Sequence, residues 1–442
     1  MRTVAEIGVD PARAQVHEQG WQSWSPSTGY ALDAAPYRWV DKPHRISSYR
    51  YENSQGTDVF WGEGLLAVDP GDGSPVTLVA AASPLTEVPS IQAQVVGDKV
   101  VVSANGEVVV RTDTSVEAAL THWADDLVAS LGLAAPRPAP TIWCSWYQYF
   151  TDVTESDVDS NLALMKTLDL PIDVVQVDDG YQAEIGDWLI PSGRFADVPG
   201  LFERIRSNGR RAGIWTAPFL VAENSRTFAS HPEWLVRSSD GAPVSAGYNW
   251  HQNLYALDTT NPGARDYLRA VFSTFTSWGI DFHKTDFIYA AAIPGVRHED
   301  VSPIEAYRSG VSLIREVIGS SYLLGCGAPQ LPSIGLFDAM RVSPDIAPTY
   351  ASFNGDASMP SQFGATLNGV SRAFQHGRFW VNDPDCVVAR PEIERREEWA
   401  AHVSRYGGLR GSSDGLDQLD EWGLATTRRL LSEPVPRYFV QS

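Results

Sequence analysis

A lysine and an aspartate two residues apart, Lys284 and Asp286, sit in the apolar and aromatic run Asp281-Phe282-His283-Lys284-Thr285-Asp286-Phe287-Ile288-Tyr289-Ala290. If that run is a strand, the two side chains face the same side of it. Burying two charges there costs free energy unless they pair or act on something. For an isolated pair of this kind, a structural ion pair is the default explanation. The other places where charge interrupts apolar sequence weigh against it.

Between residues 141 and 416, short apolar segments alternate with longer helical ones. Eight candidate strands are read at 142–147, 174–178, 212–217, 282–288, 322–325, 339–342, 379–382 and 408–411, with amphipathic stretches such as 155–168, 201–208, 264–278 and 304–318 between them. Alternation of this kind means parallel βαβ units, and eight of them fit a (β/α)8 TIM barrel better than an open doubly wound sheet. In such barrels the chemistry sits at the C-terminal ends of the strands. Here those ends read Trp146-Tyr147, Asp178-Asp179, Trp215, Lys284 with Asp286, Cys326, Arg341 with Asp345, Asp383 with Asp385, and Asp414. A barrel built for stability alone has no reason to gather so many carboxylates in one mouth.

Paired carboxylates beside aromatic faces suit glycoside hydrolysis, which needs one carboxylate at the anomeric carbon and one carboxylic acid at the leaving oxygen. Lys284 would keep Asp286 ionised by proximity, as a nucleophile requires. Asp345 follows Pro344 near Arg341 and is the natural second group, its proton held by desolvation once sugar fills the site. Fifteen tryptophans are many for this length. Those in Asp187-Trp188, Ile214-Trp215 and Ser145-Trp146-Tyr147 are the candidates for stacking on sugar rather than filling the core. No H-x-H or HExxH pattern supports a metal, and no G-x-G-x-x-G or G-x-x-x-x-G-K-[ST] follows a strand, so neither metal nor cofactor is expected.

Ahead of the barrel, residues 1–136 read as a β-sandwich-like domain. Runs rich in β-branched residues (Val76-Thr77-Leu78-Val79-Ala80, Lys99-Val100-Val101-Val102) are separated by Gly/Asp/Pro/Asn clusters. The segment Gly20-Trp21-Gln22-Ser23-Trp24-Ser25 is unusual there, and reads either as a hydrophobic plug or as an aromatic contribution to a neighbouring pocket. A helical stretch at 115–133 leads into the alternating prolines of Ala134-Ala135-Pro136-Arg137-Pro138-Ala139-Pro140, a semi-rigid linker. The expected fold is thus α/β, with an N-terminal sandwich with linking helix at 1–136, a catalytic barrel at 137–416, and a short C-terminal segment at 417–442.

Of the 442 residues, 54 are acidic and 34 basic, for a net charge of −20, which disfavours nucleic acid and suits a neutral small-molecule substrate. No stretch is long and apolar enough to suggest a membrane span, and the N-terminus has no apolar leader core. Three widely spaced cysteines, Cys144, Cys326 and Cys386, fit free thiols in a reducing cytoplasm.

The strand-end residues come in longer motifs. Trp143-Cys144-Ser145-Trp146-Tyr147-Gln148-Tyr149-Phe150, Val177-Asp178-Asp179-Gly180-Tyr181, Gly186-Asp187-Trp188, Gly213-Ile214-Trp215-Thr216-Ala217-Pro218-Phe219, Lys284-Thr285-Asp286-Phe287, Leu324-Gly325-Cys326-Gly327 and Met340-Arg341-Val342-Ser343-Pro344-Asp345 follow in order. This set resembles glycoside hydrolase family 36, the microbial α-galactosidases or melibiases, and in particular its compact thermophile-type branch. The resemblance implies a retaining mechanism with Asp286 as nucleophile and Asp345 as acid/base. It also implies that Asp178 and Asp179 bind the 4- and 6-hydroxyls of galactose, that Lys284 reaches the 3- and 4-hydroxyls and Arg341 the 2-hydroxyl region, that Trp215 covers the sugar face, and that Cys326 lines the pocket. Trp146, Tyr147 and Trp188 complete the expected substrate-binding set. A relative specific for another sugar such as α-N-acetylgalactosamine, a galactosyl transglycosidase, and a non-catalytic carbohydrate-binding protein are the alternatives. The sequence does not give the oligomeric state.

Overall fold

The computed structural model describes residues 1–40, 45–50 and 59–439. At the N-terminus two antiparallel sheets pack face to face. One has four strands, in the order Arg2–Gly8, Lys99–Ala104, Ser90–Val96, Phe60–Glu63, and the other five, in the order Thr28–Ala31, Gln15–Glu18, Leu65–Asp69, Val76–Ala81, Val108–Asp113. Val16, Leu66, Val68 and Val79 from the larger sheet meet Ile91, Ala93, Val100 and Val102 from the smaller to form the core between them. The opposite face of the larger sheet is buried as well, because Leu65, Ala67, Leu78 and Ala80 join a cluster with Leu120 and Trp123 of the linking helix. That double burial explains why Leu65–Asp69 reads as a continuous apolar run rather than an alternating one. The linking helix, Val116–Leu131, is capped by the Ser115 hydroxyl and ended by left-handed Gly132. The expected boundary at 136–137 lies between this helix and the first barrel strand.

The barrel follows in eight parallel strands: β1 (Ile142–Cys144), β2 (Val174–Val177), β3 (Arg211–Thr216), β4 (Ile280–Thr285), β5 (Tyr322–Gly325), β6 (Ala339–Arg341), β7 (Val381–Asp383) and β8 (Gly411–Ser412). They form one rolled sheet in the order β7-β6-β5-β4-β3-β2-β1-β8. The seam between its ends is bridged by the backbone carbonyl of Asn382, which accepts from the N–H groups of Gly408 and Leu409. The longer helices are α1 (Glu155–Thr167), α2 (Val198–Ser207), α3 (Pro262–Ser277), α4 (Pro303–Ile318), α5 (Gln362–Ser371), α6 (Arg396–Tyr406) and α7 (Glu421–Ser432). Capping boxes at Thr154/Asp157 and Ser302/Glu305 fix the starts of α1 and α4. The connection from β5 to β6 departs from the repeat, since it carries only a single 3₁₀ turn, Leu331–Ser333. It is short and interrupted by Pro329 and Pro332, and proline removes the donor that an α-helix interior requires.

That helix-free connection is where the N-terminal domain docks. Ser23 donates its backbone N–H to the Ala328 carbonyl and accepts the Ala328 N–H on its hydroxyl. Fully buried Arg372, just past α5, donates to the carbonyls of Gln22, Ser23, Ser25 and Val342 at 2.6–3.0 Å. Trp24 meets the ring of Phe287 edge-on, with centroids 4.8 Å apart. It also crowds Gly327, whose φ of +52° already disfavours any other residue. Of the two expectations for this segment, Trp24 matches the plug.

Candidate active site

β4 ends in Lys284 and Thr285, and the next residue, Asp286, is fixed by its backbone N–H, which donates to the Thr216 carbonyl of β3 at 2.7 Å. Register places Lys284 beside Trp215, so one level of the barrel carries both. His283, the residue before Lys284 on β4, points the other way and packs against Phe272 and Phe275 of α3. Phe287, just after Asp286, is left-handed at φ +50° and turns the chain out of the barrel. These backbone features aim Lys284 and Asp286 into a cavity of about 760 Å³ at the C-terminal ends of the strands.

Seven of the expected residues line this cavity, namely Trp146, Asp178, Asp179, Trp215, Lys284, Asp286 and Asp345. Cys326, Arg341, Tyr147 and Trp188 do not; each is buried one layer behind. Trp188 stacks edge-on against Trp215 at 5.8 Å and so buttresses the lining indole instead of offering its own face. The Cys326 thiol lies against the Asp286 carboxylate, and burial together with that charge holds it well above the usual thiol range.

On one flank, the Asp178 carboxylate accepts Lys284 Nζ at 2.9 Å, Gln176 Nε2 at 2.6 Å and the backbone N–H of Asp179 at 2.9 Å. The Cys144 thiol donates to it as well, at 3.3 Å. Asp179 takes Gln182 Nε2 on one oxygen at 2.6 Å and Trp250 Nε1 on the other at 2.7 Å. Burial pushes Asp179 up to about 6 despite these donors. Asp286 accepts Trp215 Nε1 at 3.0 Å and the Phe287 N–H at 2.8 Å. Its proton affinity is nonetheless raised, because burial outweighs the charge of Lys284. The expectation that the nearby charge of Lys284 keeps Asp286 ionised is therefore corrected, since burial is the larger effect. Lysine acts on Asp286 in the expected direction, but its direct ion pair is with Asp178, and hydrogen bonds from neutral groups assist Asp286.

On the other flank, Arg341 at the end of β6 is enclosed by carboxylates. Nη1 donates to Asp345 at 2.8 Å and to Asp385 at 3.0 Å, Nη2 to Asp385 at 2.8 Å, and Nε to Asp383 at 3.2 Å. Every guanidinium nitrogen is engaged, so Arg341 stands as the holder of Asp345, not as a free arm toward a sugar hydroxyl. The side chain of Asp345 is 31% exposed against 3% for Arg341, which puts its carboxyl at the solvent side of the pocket. The Tyr147 hydroxyl donates to Asp385 from behind, which accounts for its absence from the wall.

Trp250 was not expected. It lies at the tip of the hairpin formed by Ser245–Asn249 and Gln252–Ala256, an excursion between β3 and α3 with no strand-end signature. Both tip residues, Trp250 and His251, hold positive φ, at +50° and +59°. Two-residue hairpin turns of this hand normally use Asn or Gly, so the strain is evidence that the indole is being placed. The clue in the sequence was the dense polar-aromatic string Tyr248-Asn249-Trp250-His251.

Comparison with known proteins agrees with this arrangement. The sequence profile of the glycosyl hydrolase family 31 TIM-barrel domain matches residues 133–315. The α-galactosidase AgaA of Geobacillus stearothermophilus is 25% identical over 207 residues, 43% of this chain but 27% of that protein's length. Its crystal structure, described as a GH36 α-galactosidase, superposes with a TM-score of 0.62 over 97% of this chain and 61% of that one, at 14% identity, a likeness of fold. The α-galactosidase TtGalA of Thermus thermophilus, solved with p-nitrophenyl α-D-galactopyranoside, aligns over 98% of this chain and 89% of its own with a TM-score of 0.83 and 29% identity. Over nearly its whole length the chain is similar to this α-galactosidase. The family 31 profile ends within α4, whereas the Thermus likeness runs through the sandwich, the barrel and the flank that carries Asp345.

Proposed function

We propose that this chain is a retaining exo-α-galactosidase that releases terminal α-linked galactose, α-1,6-linked in small oligosaccharides such as melibiose or raffinose. The observation that carries the reading is that Asp286 and Asp345 share one pocket with the buried Asp178–Asp179–Lys284 cluster, while Asp345 alone of these lies toward solvent. The Thermus relative was solved with p-nitrophenyl α-galactopyranoside and with stachyose, both of which end in an α-galactosyl group.

In this reading the galactosyl ring enters first and its 4- and 6-hydroxyls donate to Asp178 and Asp179, with Lys284 donating to the oxygens of the 3- and 4-hydroxyls. A carboxylate pair fixed by several donors discriminates against a sugar whose hydroxyl points elsewhere, because the pair is then left partly unsatisfied. Asp286 attacks the anomeric carbon while Asp345 gives its proton to the departing oxygen. The Trp215 and Phe287 N–H groups stabilise Asp286 as a carboxylate until the bond forms. Water then attacks the galactosyl-enzyme and Asp345 takes the proton back, so its partial exposure serves both aglycone exit and water entry.

A panel of nitrophenyl α-glycosides tests this. The expected result is turnover of the α-galactoside, with the α-glucoside at least about 100-fold slower, and first-formed α-galactose in an NMR time course. First-formed β-galactose would exclude retention. Preference for the α-N-acetylgalactosaminide would change the sugar, and binding of galactose without turnover of any glycoside would leave only a lectin-like role.

A further inference from the structure

Behind the proposed acid/base lies a residue that this mechanism has not used. Asp385 is 1% exposed and its backbone stands at φ +95°, a conformation rare outside glycine and one that tends to mark functional strain. One of its oxygens accepts Arg341 Nη2 at 2.8 Å and the Cys386 N–H at 2.7 Å. The other accepts Arg341 Nη1 at 3.0 Å, the Ile346 N–H at 3.0 Å and the Tyr147 hydroxyl. Asp383 takes Arg341 Nε and also accepts the backbone N–H of Asp385 at 2.9 Å. The loops after β6 and β7 are thereby joined through one guanidinium and two buried carboxylates.

A lone arginine at 2.8 Å from a general acid is a handicap, since it favours the ionised form of a group that has to deliver a proton. Here the same cation serves three carboxylates. We propose that Asp385, aided by Asp383, is a positioning residue that offsets the charge of Arg341, so that Arg341 can orient the Asp345 carboxyl without stripping its proton. The proposal rests on the reading of Asp345 as acid/base. The charged and titratable groups facing Asp345 are Arg341 from β6, Asp286 from the end of β4, Cys326 from the end of β5, Tyr147 from the end of β1, and Asp385 from the loop after β7, while Asp383 at the end of β7 pairs with Arg341. Arg341 is the only cation paired with Asp345 among the described residues. Burial pushes Asp385 up to about 7, so the charge that it sets against Arg341 grows as pH rises through neutrality. In each turnover the proton moves from Asp345 to the leaving oxygen and returns from water; Asp385 neither gives nor receives one.

The test is Asp385→Asn, compared with wild type on melibiose and on p-nitrophenyl α-galactoside across pH, with circular dichroism as the check on folding. Nitrophenolate leaves with little protonation, whereas the sugar of melibiose needs the acid. The alkaline fall of kcat/KM is expected to move down by about one pH unit, and above pH 7.5 the loss on melibiose should exceed that on the nitrophenyl substrate by about tenfold. Asp383→Asn should move the limb in the same direction by less, and it serves if Asp385→Asn does not fold. Asp345→Ala is the reference for the acid/base assignment itself, because that reading fails, separately from this one, if the variant shows no dependence on the leaving group. A folded Asp385→Asn that loses equal activity on both substrates, with its alkaline limb where wild type has it, overturns the proposal.

Discussion

The two flanks of the pocket use the same ingredients, one buried cation among three carboxylates, and arrange them differently. Lys284 gives its one short ion pair to Asp178 and leaves Asp179 and Asp286 to neutral donors, the amide of Gln182, the indoles of Trp250 and Trp215, and a backbone N–H. Arg341 reaches Asp345, Asp383 and Asp385 at once. The ammonium is a compact point charge and the guanidinium a planar fork with several donors, so one suits a single firm partner and the other a shared network. All three carboxylates of the lysine flank are buried, which suits groups that must keep a fixed shape toward a ring. The arginine flank ends in one part-exposed carboxylate, which suits a group that exchanges protons with solvent and leaving group.

The largest expected effect separates the flanks by role. Asp286→Ala should lower kcat for p-nitrophenyl α-galactoside by about 10⁴ or more, with azide restoring cleavage by occupying the vacated space. Asp345→Ala should lose only about 10² on the same substrate, since nitrophenolate needs little acid. Comparable losses in both, or near-normal turnover in Asp286→Ala, would end the division of labour drawn between the two.

A smaller effect tests the neutral donors of the lysine flank. Trp250→Phe keeps an aromatic ring against Trp215 and Phe287 but removes the N–H from Asp179. Burial, already holding Asp179 near 6, then acts with less opposition, so more of it is protonated in mild acid. KM for the α-galactoside is expected to rise about tenfold at pH 6 and less at pH 8, with the acid limb of kcat/KM displaced upward. A pH-independent change would reduce Trp250 to packing.

The smallest effect concerns stability and sets the mouth against the outside of the barrel. Asp179 and Asp385 have folded values of about 6 and about 7, above the 3.8 of the free side chain. Their contribution is full below 3.8 and is lost as pH rises through those values. Buried His17, His283, His376 and His402 run the other way, since burial holds them at about 4, 3, 4 and 4, below 6.5. Their contribution is full above 6.5 and is lost as pH falls toward 4. Acidification from pH 7 to 4.5 therefore strengthens the pocket carboxylates and weakens the imidazoles. The melting temperature is expected to fall over that range, and His283→Phe, which packs like its neighbours Phe272 and Phe275, should recover a few degrees at pH 4.5 and little at pH 7. A melting temperature that rises on acidification would mean the carboxylates dominate.

Much of this was legible in the chain itself. Strand segments are short apolar runs, and their C-terminal ends are identifiable because polarity returns there abruptly. Asp178, Asp179, Trp215, Lys284, Asp286, Arg341 and Asp345 were thus all placed at the mouth from local pattern alone, and the motifs around them carried the family. The bounds were less accurate: the first and fourth strands were read to 147 and 288 but end at Cys144 and Thr285, where the chain passes into short helical turns, and the last two were read at 379–382 and 408–411 against Val381–Asp383 and Gly411–Ser412, because these strands are very short.

Only the closed barrel decided who pairs with whom. Lys284 was read with the aspartate two residues away, yet its ion pair is with Asp178, 106 residues earlier. Trp250 reaches Asp179 across 71 residues, and Arg341 reaches Asp385 across 44. Arg372 ties the barrel to Ser23, 349 residues away. A sequence specifies which side chains are polar and which face of a strand they occupy, since both follow from local periodicity. The partner of a buried charge depends on the distance and direction of groups on other strands, and those are set when the sheet rolls up and the sandwich docks against its mouth.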